Sequence, residues 1–288
     1  MTSKERVRAA YMHQPVDRVP AAFEAVGNVK EKLMKHYGFT EHQQLLDKFE
    51  IDIVYAGPKY VGPELKRYIN DEGKRVHTSF WGYEETFHDT GLDIYATTSY
   101  FPLNGVETMD GLEEISNFEL EYYKRIFEAG KGKIDVLRTH DDYGTQISLL
   151  FSMDMWREFY QENTKKLVEL AHQYGAFFQQ HSCGAVGPII PELIACGVDA
   201  LEPIQKVAGL EVETLAELYG EKIAFHGGID TQQILPYGTV EEVKAETEKF
   251  IQTLGKGSGY ILMASQGFEG DVPIENIEAV YSVSREVM

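Results

Sequence analysis

Two residues with metal-binding side chains, His181 and Cys183, lie two positions apart at the end of a short apolar run. The run begins at Ala176, and its pattern is typical of a buried strand. Side chains two positions apart in a strand point to the same side, so His181 and Cys183 can bind one ion. Zinc favours imidazole and thiolate ligands. The alternative interpretation is that Cys183 is a small buried apolar residue and His181 a hydrogen-bonded core residue.

The second half of the chain has a regular pattern that predicts how such residues are positioned. From residue 134 onward, β-branched and aromatic runs alternate with helical periodicity, which predicts βαβ units and a parallel sheet. The predicted strands are Ile134–Thr139, Ala176–His181, Ala200–Ile204, Ile223–His226 and Tyr260–Met263. The predicted helices are Met153–Tyr174, Pro188–Cys196, Val212–Tyr219, Val240–Leu254 and a last one from Ile274 to the end.

Polar and ionisable side chains lie at the end of every one of these predicted strands. In a parallel α/β barrel the carboxyl ends of the strands build the active site. The candidate residues are Asp141, Asp142, Tyr143, Gln146, His181, Cys183, Glu202, His226, Gly227, Gly228, Asp230 and Gln266. Buried ionisable groups are costly unless they are paired or used, so their recurrence favours a shared site.

Each of these strand ends also has a purely structural interpretation. The Asp141-Asp142 pair could form a turn. The Gly227-Gly228 pair could form a tight turn between strand and helix. Asp230 could cap the N-terminus of a helix. Taken singly, each structural interpretation is as good as a functional one.

The first half of the chain follows the same plan less closely. Val19–Ala25 and Ile53–Ala56 are candidate parallel strands, whereas Val76–Tyr83 and Tyr95–Phe101 predict an antiparallel hairpin or meander over one end of the barrel. A short helix is predicted at Phe118–Gly130. Two early and five later parallel strands are one fewer than a closed (β/α)8 barrel requires. No linker composition divides the chain, so residues 1–288 are predicted to form one barrel-like domain.

Composition excludes several classes of function. The formal net charge of -19 argues against nucleic acid or an anionic membrane as a partner. No apolar run approaches the length of a membrane span, and the N-terminus lacks a secretory apolar core. The two cysteines do not form a disulfide framework, which predicts a cytoplasmic protein.

Several motifs in the second half resemble the uroporphyrinogen decarboxylase superfamily. They are Asp141–Gln146, His181–Gly184, Gly197–Pro203, Phe225–Asp230 and Asp271–Ile277, in this order within residues 134–288. Arg6-Val7, Asp17–Pro20, Pro102-Leu103 and Glu107-Thr108 fit the same pattern more loosely. The resemblance implies a (β/α)8 TIM-type barrel with its site in the C-terminal cleft. Residues 116–133 stand where relatives carry a further strand, which implies that one βα unit is missing or that a second copy, in a homodimer, covers the gap.

The superfamily contains two chemistries, and the residues favour one of them. Its decarboxylases hold substrate carboxylates with an Arg-Gln-Ala-Gly-Arg segment, but Ala22–Asn28 at that place contains no arginine. Its methyltransferase branch moves methyl groups to or from the cobalt of a corrinoid protein, using a zinc site that contains His-x-Cys. His181 and Cys183 match those positions. A further cysteine of that zinc site is replaced here by Ser265-Gln266, so Glu202, His226, Asp142 or Glu269 would complete the ligand set.

The leading hypothesis is therefore a metal-assisted, corrinoid-linked methyltransferase acting on a small methyl ether or thiol substrate. It implies zinc as cofactor and cobalamin carried by a partner protein. His181, Cys183 and Glu202 would bind the metal, and the catalytic residues would be Asp141, Asp142, Tyr143 and His226. The binding residues would be Gln146, Gly227, Gly228, Asp230 and Gln266. A decarboxylase, in which Arg138 or His226 holds a carboxylate, and a non-catalytic relative are the alternative hypotheses.

Overall fold

The computed structural model describes residues 1–91, 94–102, 104, 110–257 and 259–286. The helices are α1 (Ser3–Tyr11), α2 (Gly27–Tyr37), α3 (His42–Lys48), α4 (Asp110–Gly130), α5 (Met153–Phe159), α6 (Gln161–Gln173), α7 (Ile190–Cys196), α8 (Val212–Tyr219), α9 (Ile234–Tyr237), α10 (Val240–Leu254) and α11 (Ile274–Ser282). The strands are β1 (Arg67–Ile69), β2 (Arg75–Thr78), β3 (Glu84–Asp89), β4 (Ile94–Tyr100), β5 (Val136–His140), β6 (Phe177–His181), β7 (Ala200–Glu202), β8 (Ala224–His226) and β9 (Tyr260–Ile261).

The second half of the chain forms the predicted parallel sheet, in the strand order β5-β6-β7-β8-β9. Because side chains alternate across a strand, one set faces the helices and the other faces inward. Leu137, Phe178, Leu201 and Phe225 pack into the main core with the helices, and each fully buried side chain of this kind contributes about 1.5–3 kcal/mol. The inward set carries the polar residues towards the carboxyl ends, where His181 pairs in register with Glu202.

Two early segments lie on the β9 side of this sheet, but the predicted strand Val19–Ala25 forms only isolated bridges and the predicted strand Ile53–Ala56 is not formed. Ala21 forms a parallel bridge with Leu262, and Ala25 forms another with Phe268. The backbone N–H of Asp52 donates to the carbonyl of Ala21 at 2.8 Å, which places residues 51–53 beside residues 19–25. The result is an arc of seven segments. No strand pairing among the described residues joins β5 to residues 51–53, so closure into an eight-stranded barrel is not shown.

Helix α1 covers the interior of the arc at the end away from the carboxyl ends. Three alanines, Ala22, Ala200 and Ala224, share an interior cluster with Tyr11. Their small side chains leave space that the Tyr11 ring occupies, stacked on Phe177 with ring centroids 5.0 Å apart. The Tyr11 hydroxyl donates to Oε1 of Gln179 inside the sheet. This helix therefore reaches the polar layer beneath the carboxyl ends.

The inserted antiparallel structure is larger than the predicted hairpin. It is a four-stranded meander in the order β1-β2-β3-β4. The predicted strand Val76–Tyr83 is wrong in its second half, because a turn at residues 79–83 separates β2 from β3. Strand β3 was not predicted because Glu84, Glu85 and Asp89 are unusual in strands. Leu103, Glu107 and Thr108, which took part in the looser resemblance, lie outside the described residues.

Most predicted helices occur, with three corrections. The last helix, predicted from Ile274 to the end, stops at Ser282 because Val283 is extended. The predicted helix Met153–Tyr174 is two helices, because the backbone departs from helical angles at Tyr160. Helix α4 begins at Asp110 rather than Phe118, although Gly111, Ser116 and Asn117 weaken local helix preference. Contacts with the meander, such as Phe118 against Trp81 at 5.1 Å, support this longer helix. None of the helices among the described residues is long and apolar enough to cross a membrane.

Candidate metal centre

Asp142, His181 and Cys183 bring three metal-binding side chains together at the carboxyl ends of β5 and β6. Their ligand atoms all lie within 4.8 Å of one another. Sγ of Cys183 is 3.4 Å from Nε2 of His181, and Oδ1 of Asp142 is 3.8 Å from the same nitrogen. The predicted pairing of His181 with Cys183 on one side of the strand is therefore observed, with Asp142 as the third group.

The donor set and its spacing fit a zinc ion. Thiolate, imidazole and carboxylate are the ligands that zinc takes in proteins, at about 2.0–2.3 Å. Two such ligands in a tetrahedral site lie roughly 3.4–3.6 Å apart, so the observed 3.4 and 3.8 Å require only small adjustments. The Asp142 side chain is 58% exposed, whereas that of His181 is 13% exposed. One side of the cluster is therefore open to a substrate.

Backbone contacts between the two loops hold the cluster in place. The N–H of Cys183 donates to Oδ1 of Asp142 at 2.8 Å, and the N–H of Tyr143 donates to the Ser182 hydroxyl at 2.8 Å. Gly184 has a φ of +93°, and a Cβ there would lie 2.4 Å from the backbone carbon of Gly144. Only glycine allows this conformation and this approach together. The loops after β5 and β6 are thus fixed to one another.

Glu202, which the sequence predicts as the third ligand, lies on the other side of the His181 ring. Its Oε1 is 3.7 Å from Nδ1 of His181, whereas Cys183 and Asp142 face Nε2. A carboxylate in this position orients a metal-binding imidazole rather than binding the metal itself. The geometry therefore favours Asp142 over Glu202 as the third ligand.

A buried arginine neutralises the carboxylates beneath the cluster. Nη1 of Arg138 contacts Glu24 at 2.7 Å, and Nη2 contacts Glu202. Burial alone would raise the pKa of Glu202, but His226, His181 and Arg138 around it hold that pKa at about 2. Burial alone would lower the pKa of His181, but the Cys183 thiol and the Glu202 carboxylate raise it to about 9. At pH 7 the site therefore places the ionised Glu202 beside two cations, the Arg138 guanidinium and the protonated His181 ring, whose Nε2 proton a bound metal would replace.

His226, predicted as a catalytic residue, belongs to a buried hydrogen-bond network instead of the open side. It is fully buried, with Nδ1 3.0 Å from Oε1 of Gln179 and Nε2 3.4 Å from the Tyr55 hydroxyl. Burial lowers the pKa of His226, although the Glu202 carboxylate opposes this shift. Gln179 donates in turn to Glu202. The network connects His226 to the metal cluster through two intervening side chains.

The other residues predicted on the first loop are dispersed. Tyr143 is 2% exposed and packs its ring on Phe151 and Trp156, away from the cluster. Asp141 is exposed and contributes its backbone N–H to the carbonyl of His181. Gln146 lies near Gln205, with its Nε2 3.4 Å from Oε1. Among the described residues only Asp142 of this loop joins the three-residue metal site, and the predicted roles of Asp141, Tyr143 and Gln146 stay predictions.

Gly227, Gly228 and Asp230 have clear structural roles. A Cβ on Gly227 would lie 2.6 Å from the carbonyl oxygen of Ala264, and one on Gly228 would lie 2.4 Å from the Phe250 ring. Asp230 accepts hydrogen bonds from the N–H groups of Gln232 and Gln233, as a turn-capping carboxylate does. The role of these three residues in binding substrate or corrinoid stays a prediction.

Gln266, predicted as a binding residue, contacts the cluster directly. Its Nε2 is 2.7 Å from Sγ of Cys183. Three further residues at the site were not assigned a place in it from sequence, namely Glu24, Tyr55 and Gln179, and Arg138 was named only for the decarboxylase alternative. The alternation of side chains along a strand could have identified Gln179, because it lies two residues before His181 and faces the same side. Glu24 and Tyr55 reach the site from the first half of the chain, so no local pattern indicates their contacts.

Comparisons with known proteins agree with this architecture. The family model described as uroporphyrinogen decarboxylase (URO-D) matches residues 107–287. The chain is 24% identical over 167 residues to the methylcobamide:CoM methyltransferase MtaA of Methanosarcina barkeri. This match covers 58% of the chain and 45% of the relative, so the chain spans about half the length of that protein.

A solved structure supports the fold along nearly the whole chain. A methyltransferase from Methanosarcina mazei superposes with a TM-score of 0.59 at 16% identity, covering 98% of both chains. At this identity the likeness concerns the fold alone. The family model, by contrast, matches more than half of the sequence and includes all three residues of the candidate metal site. The chain belongs to the uroporphyrinogen decarboxylase family.

Proposed function

We propose that this protein is a zinc-dependent methyltransferase that works with a corrinoid carried by a partner protein. The observation that carries the proposal is the convergence of Asp142, His181 and Cys183 at the carboxyl ends of neighbouring parallel strands. A methylcobamide-using relative supports the corrinoid part. The small substrate would be a thiol or a methyl ether, because these are the groups that a zinc ion activates for methyl transfer.

Each residue of the cluster has a stated role in this proposal. His181, Cys183 and Asp142 would hold zinc, which supplies Lewis acidity towards a thiol or an ether oxygen. Glu202 would accept a hydrogen bond from the Nδ1–H of His181, so that Nε2 presents its lone pair to the metal. Arg138 would keep Glu202 ionised. The exposed side of Asp142 is where the substrate and the corrinoid would approach.

A decarboxylase is less well supported by the same contacts. Such an enzyme needs cations that are free to bind substrate carboxylates. Arg138 is already paired with Glu24 and Glu202, and its guanidinium lies over the Tyr55 ring at 5.0 Å. His226 is fully buried. Neither residue is placed to hold an anionic substrate.

Elemental analysis of the purified protein tests the metal site. We expect about one zinc per chain, lost in His181→Ala and in Cys183→Ala. Cys196→Ala is the matched control, because Cys196 is the other cysteine of the chain and lies on α7 away from the cluster. Zinc retained in Cys183→Ala would contradict the proposed site. Transfer of methyl from methylcobalamin to a small thiol, followed by the cobalamin spectrum, tests the reaction, and a zinc-loaded protein inactive with every thiol and ether tried would contradict it.

A further inference from the structure

Gln266 provides a polar contact to the cysteine of the metal cluster from the opposite side of the site. Its Nε2 lies 2.7 Å from Sγ of Cys183, across 83 positions of sequence. A thiolate can only accept a hydrogen bond, so the amide nitrogen rather than the amide oxygen must face it. The side chain of Gln266 is half-buried, which protects this contact from competition with water.

The backbone around Gln266 is fixed on both sides. The N–H of Ser265 donates to the carbonyl of Ile229 at 2.8 Å, and the N–H of Phe268 donates to the carbonyl of Glu24 at 2.9 Å. The Ser265 hydroxyl forms a hydrogen bond with the hydroxyl of Thr231 at 3.0 Å. Gln266, and not the neighbouring serine, is therefore the residue that faces the sulfur.

Two different groups approach the Cys183 sulfur. Nε2 of His181 lies 3.4 Å away on the side where the metal would bind, and the Gln266 amide takes a second position. Hydrogen bonds to a charged acceptor are stronger than those between neutral groups. Hydrogen bonding around a metal-bound cysteine sulfur tunes the properties of the metal.

We propose that Gln266 is a positioning residue whose amide donates to the metal-bound thiolate of Cys183 and weakens the electron donation of that ligand. This inference rests on the proposed metal site. The hydrogen bond withdraws electron density from sulfur, so the metal remains a stronger Lewis acid towards the substrate. The same contact holds the sulfur in the orientation that faces His181.

Cobalt substitution measures this effect directly. Cobalt(II) bound to a thiolate gives a sulfur-to-metal charge-transfer band, whose energy rises when a hydrogen bond stabilises the sulfur electrons. In Gln266→Leu we expect unchanged cobalt stoichiometry and a shift of this band to longer wavelength. Gln161→Leu is the matched control, because it removes one amide hydrogen bond to a carboxylate, that of Glu192, and neither residue belongs to the cluster. An unshifted band in Gln266→Leu would overturn the proposal, as would loss of cobalt, which would identify Gln266 as a ligand.

The contact can also be tested without any metal. In the metal-free protein, the side-chain amide resonances of Gln266 are identified by their disappearance in Gln266→Leu. They should move in Cys183→Ala and remain in place in Cys196→Ala. Resonances that do not respond to Cys183→Ala would refute the inference. A wild-type protein that binds neither zinc nor cobalt would refute the proposed function, while the amide resonances would still decide whether Gln266 contacts the sulfur.

Discussion

Oε1 of Glu202 lies 3.7 Å from Nδ1 of His181, on the side of the imidazole ring opposite Cys183. The two residues also pair in register on neighbouring strands, so their relative position is set by the sheet. The Glu202 side chain is 1% exposed, whereas that of Asp142 is 58% exposed. Substitution of Glu202 can therefore show whether this residue orients His181 or binds the metal itself.

Glu202→Gln should keep the metal but bind it less tightly. The amide cannot neutralise Arg138, and it accepts a hydrogen bond from the Nδ1–H of His181 less strongly than a carboxylate does. Loss of such a partner lowers metal affinity by about 10–100-fold. Competition with a zinc-binding dye measures the affinity. Glu192→Gln, which removes a carboxylate paired with Arg157 elsewhere, serves as the control. Complete loss of zinc in Glu202→Gln would instead make Glu202 a ligand.

Arg138→Met should destabilise the protein by about 3–5 kcal/mol, because it leaves the buried Glu202 carboxylate without its guanidinium partner. Urea unfolding at pH 7 measures the loss. The double variant Arg138→Met with Glu202→Gln removes both charges, so it should recover part of that stability. A double variant that is less stable than Arg138→Met would contradict this account of the pair.

Gly184→Ala should disrupt the metal centre through the backbone. The new Cβ would collide with Gly144 and force a strained φ, which together cost about 3 kcal/mol. Gly209 also has a positive φ, of +83°, but nothing lies within 4 Å of its Cβ position. Gly209→Ala should therefore cost only about 1 kcal/mol. Equal losses of unfolding free energy in the two variants would mean that the approach of the two loops does not matter.

Asp17 should make stability depend on pH in the acid range. Hydrogen bonds from the Arg6 guanidinium hold the pKa of Asp17 well below its usual value, with the N-terminal ammonium contributing. A lowered pKa stabilises the folded state above about pH 4, the unfolded pKa, and this contribution is lost as pH falls towards the folded pKa. Asp17 is 43% exposed, so Asp17→Asn should cost about 1 kcal/mol at pH 7.

The difference between wild type and Asp17→Asn should shrink below about pH 4, where the wild-type carboxyl also becomes protonated. Thermal unfolding between pH 3 and pH 7 checks this. Asp154→Asn is the comparison, because Asp154 pairs with Arg157 but is 94% exposed. A stability difference between wild type and Asp17→Asn that grows as the pH falls would contradict the lowered pKa of Asp17 in the folded protein.

The sequence could predict the parallel sheet because burial produces a local signal in each strand. All five predicted later strands occur, and the helices Val212–Tyr219 and Val240–Leu254 have the predicted bounds. The early prediction Val19–Ala25 corresponds to isolated bridges at Ala21 and Ala25, whereas Ile53–Ala56 was placed too late, because residues 52 and 53 are the ones bonded to Ala21. Strand β3 and the first turns of α4 were not predicted, because pairing with β2 and β4 and packing on the meander stabilise them against local preference.

The candidate site was predictable only in part for a related reason. His181 and Cys183 share a face of one strand, so spacing alone brings them together. The choice of Asp142 over Glu202 depends on which ring nitrogen of His181 each carboxylate faces, and no sequence pattern encodes that. Tyr143 turns into the core because three aromatic rings of the following segment receive it.

Tyr11 connects the start of the chain to the chemistry at the far end of the sheet. Its ring fills the room left by three alanines, and its hydroxyl holds the amide that in turn holds Glu202. Helix α1 therefore covers the end of the sheet opposite the carboxyl ends and shields Gln179 and Glu202 from water on that side. Without this cover water would reach the Glu202 carboxylate, and Arg138 would pair with it more weakly. The contact between Glu202 and His181 would weaken for the same reason. A change in α1 would in this way weaken the proposed metal site from the end of the sheet opposite its open side.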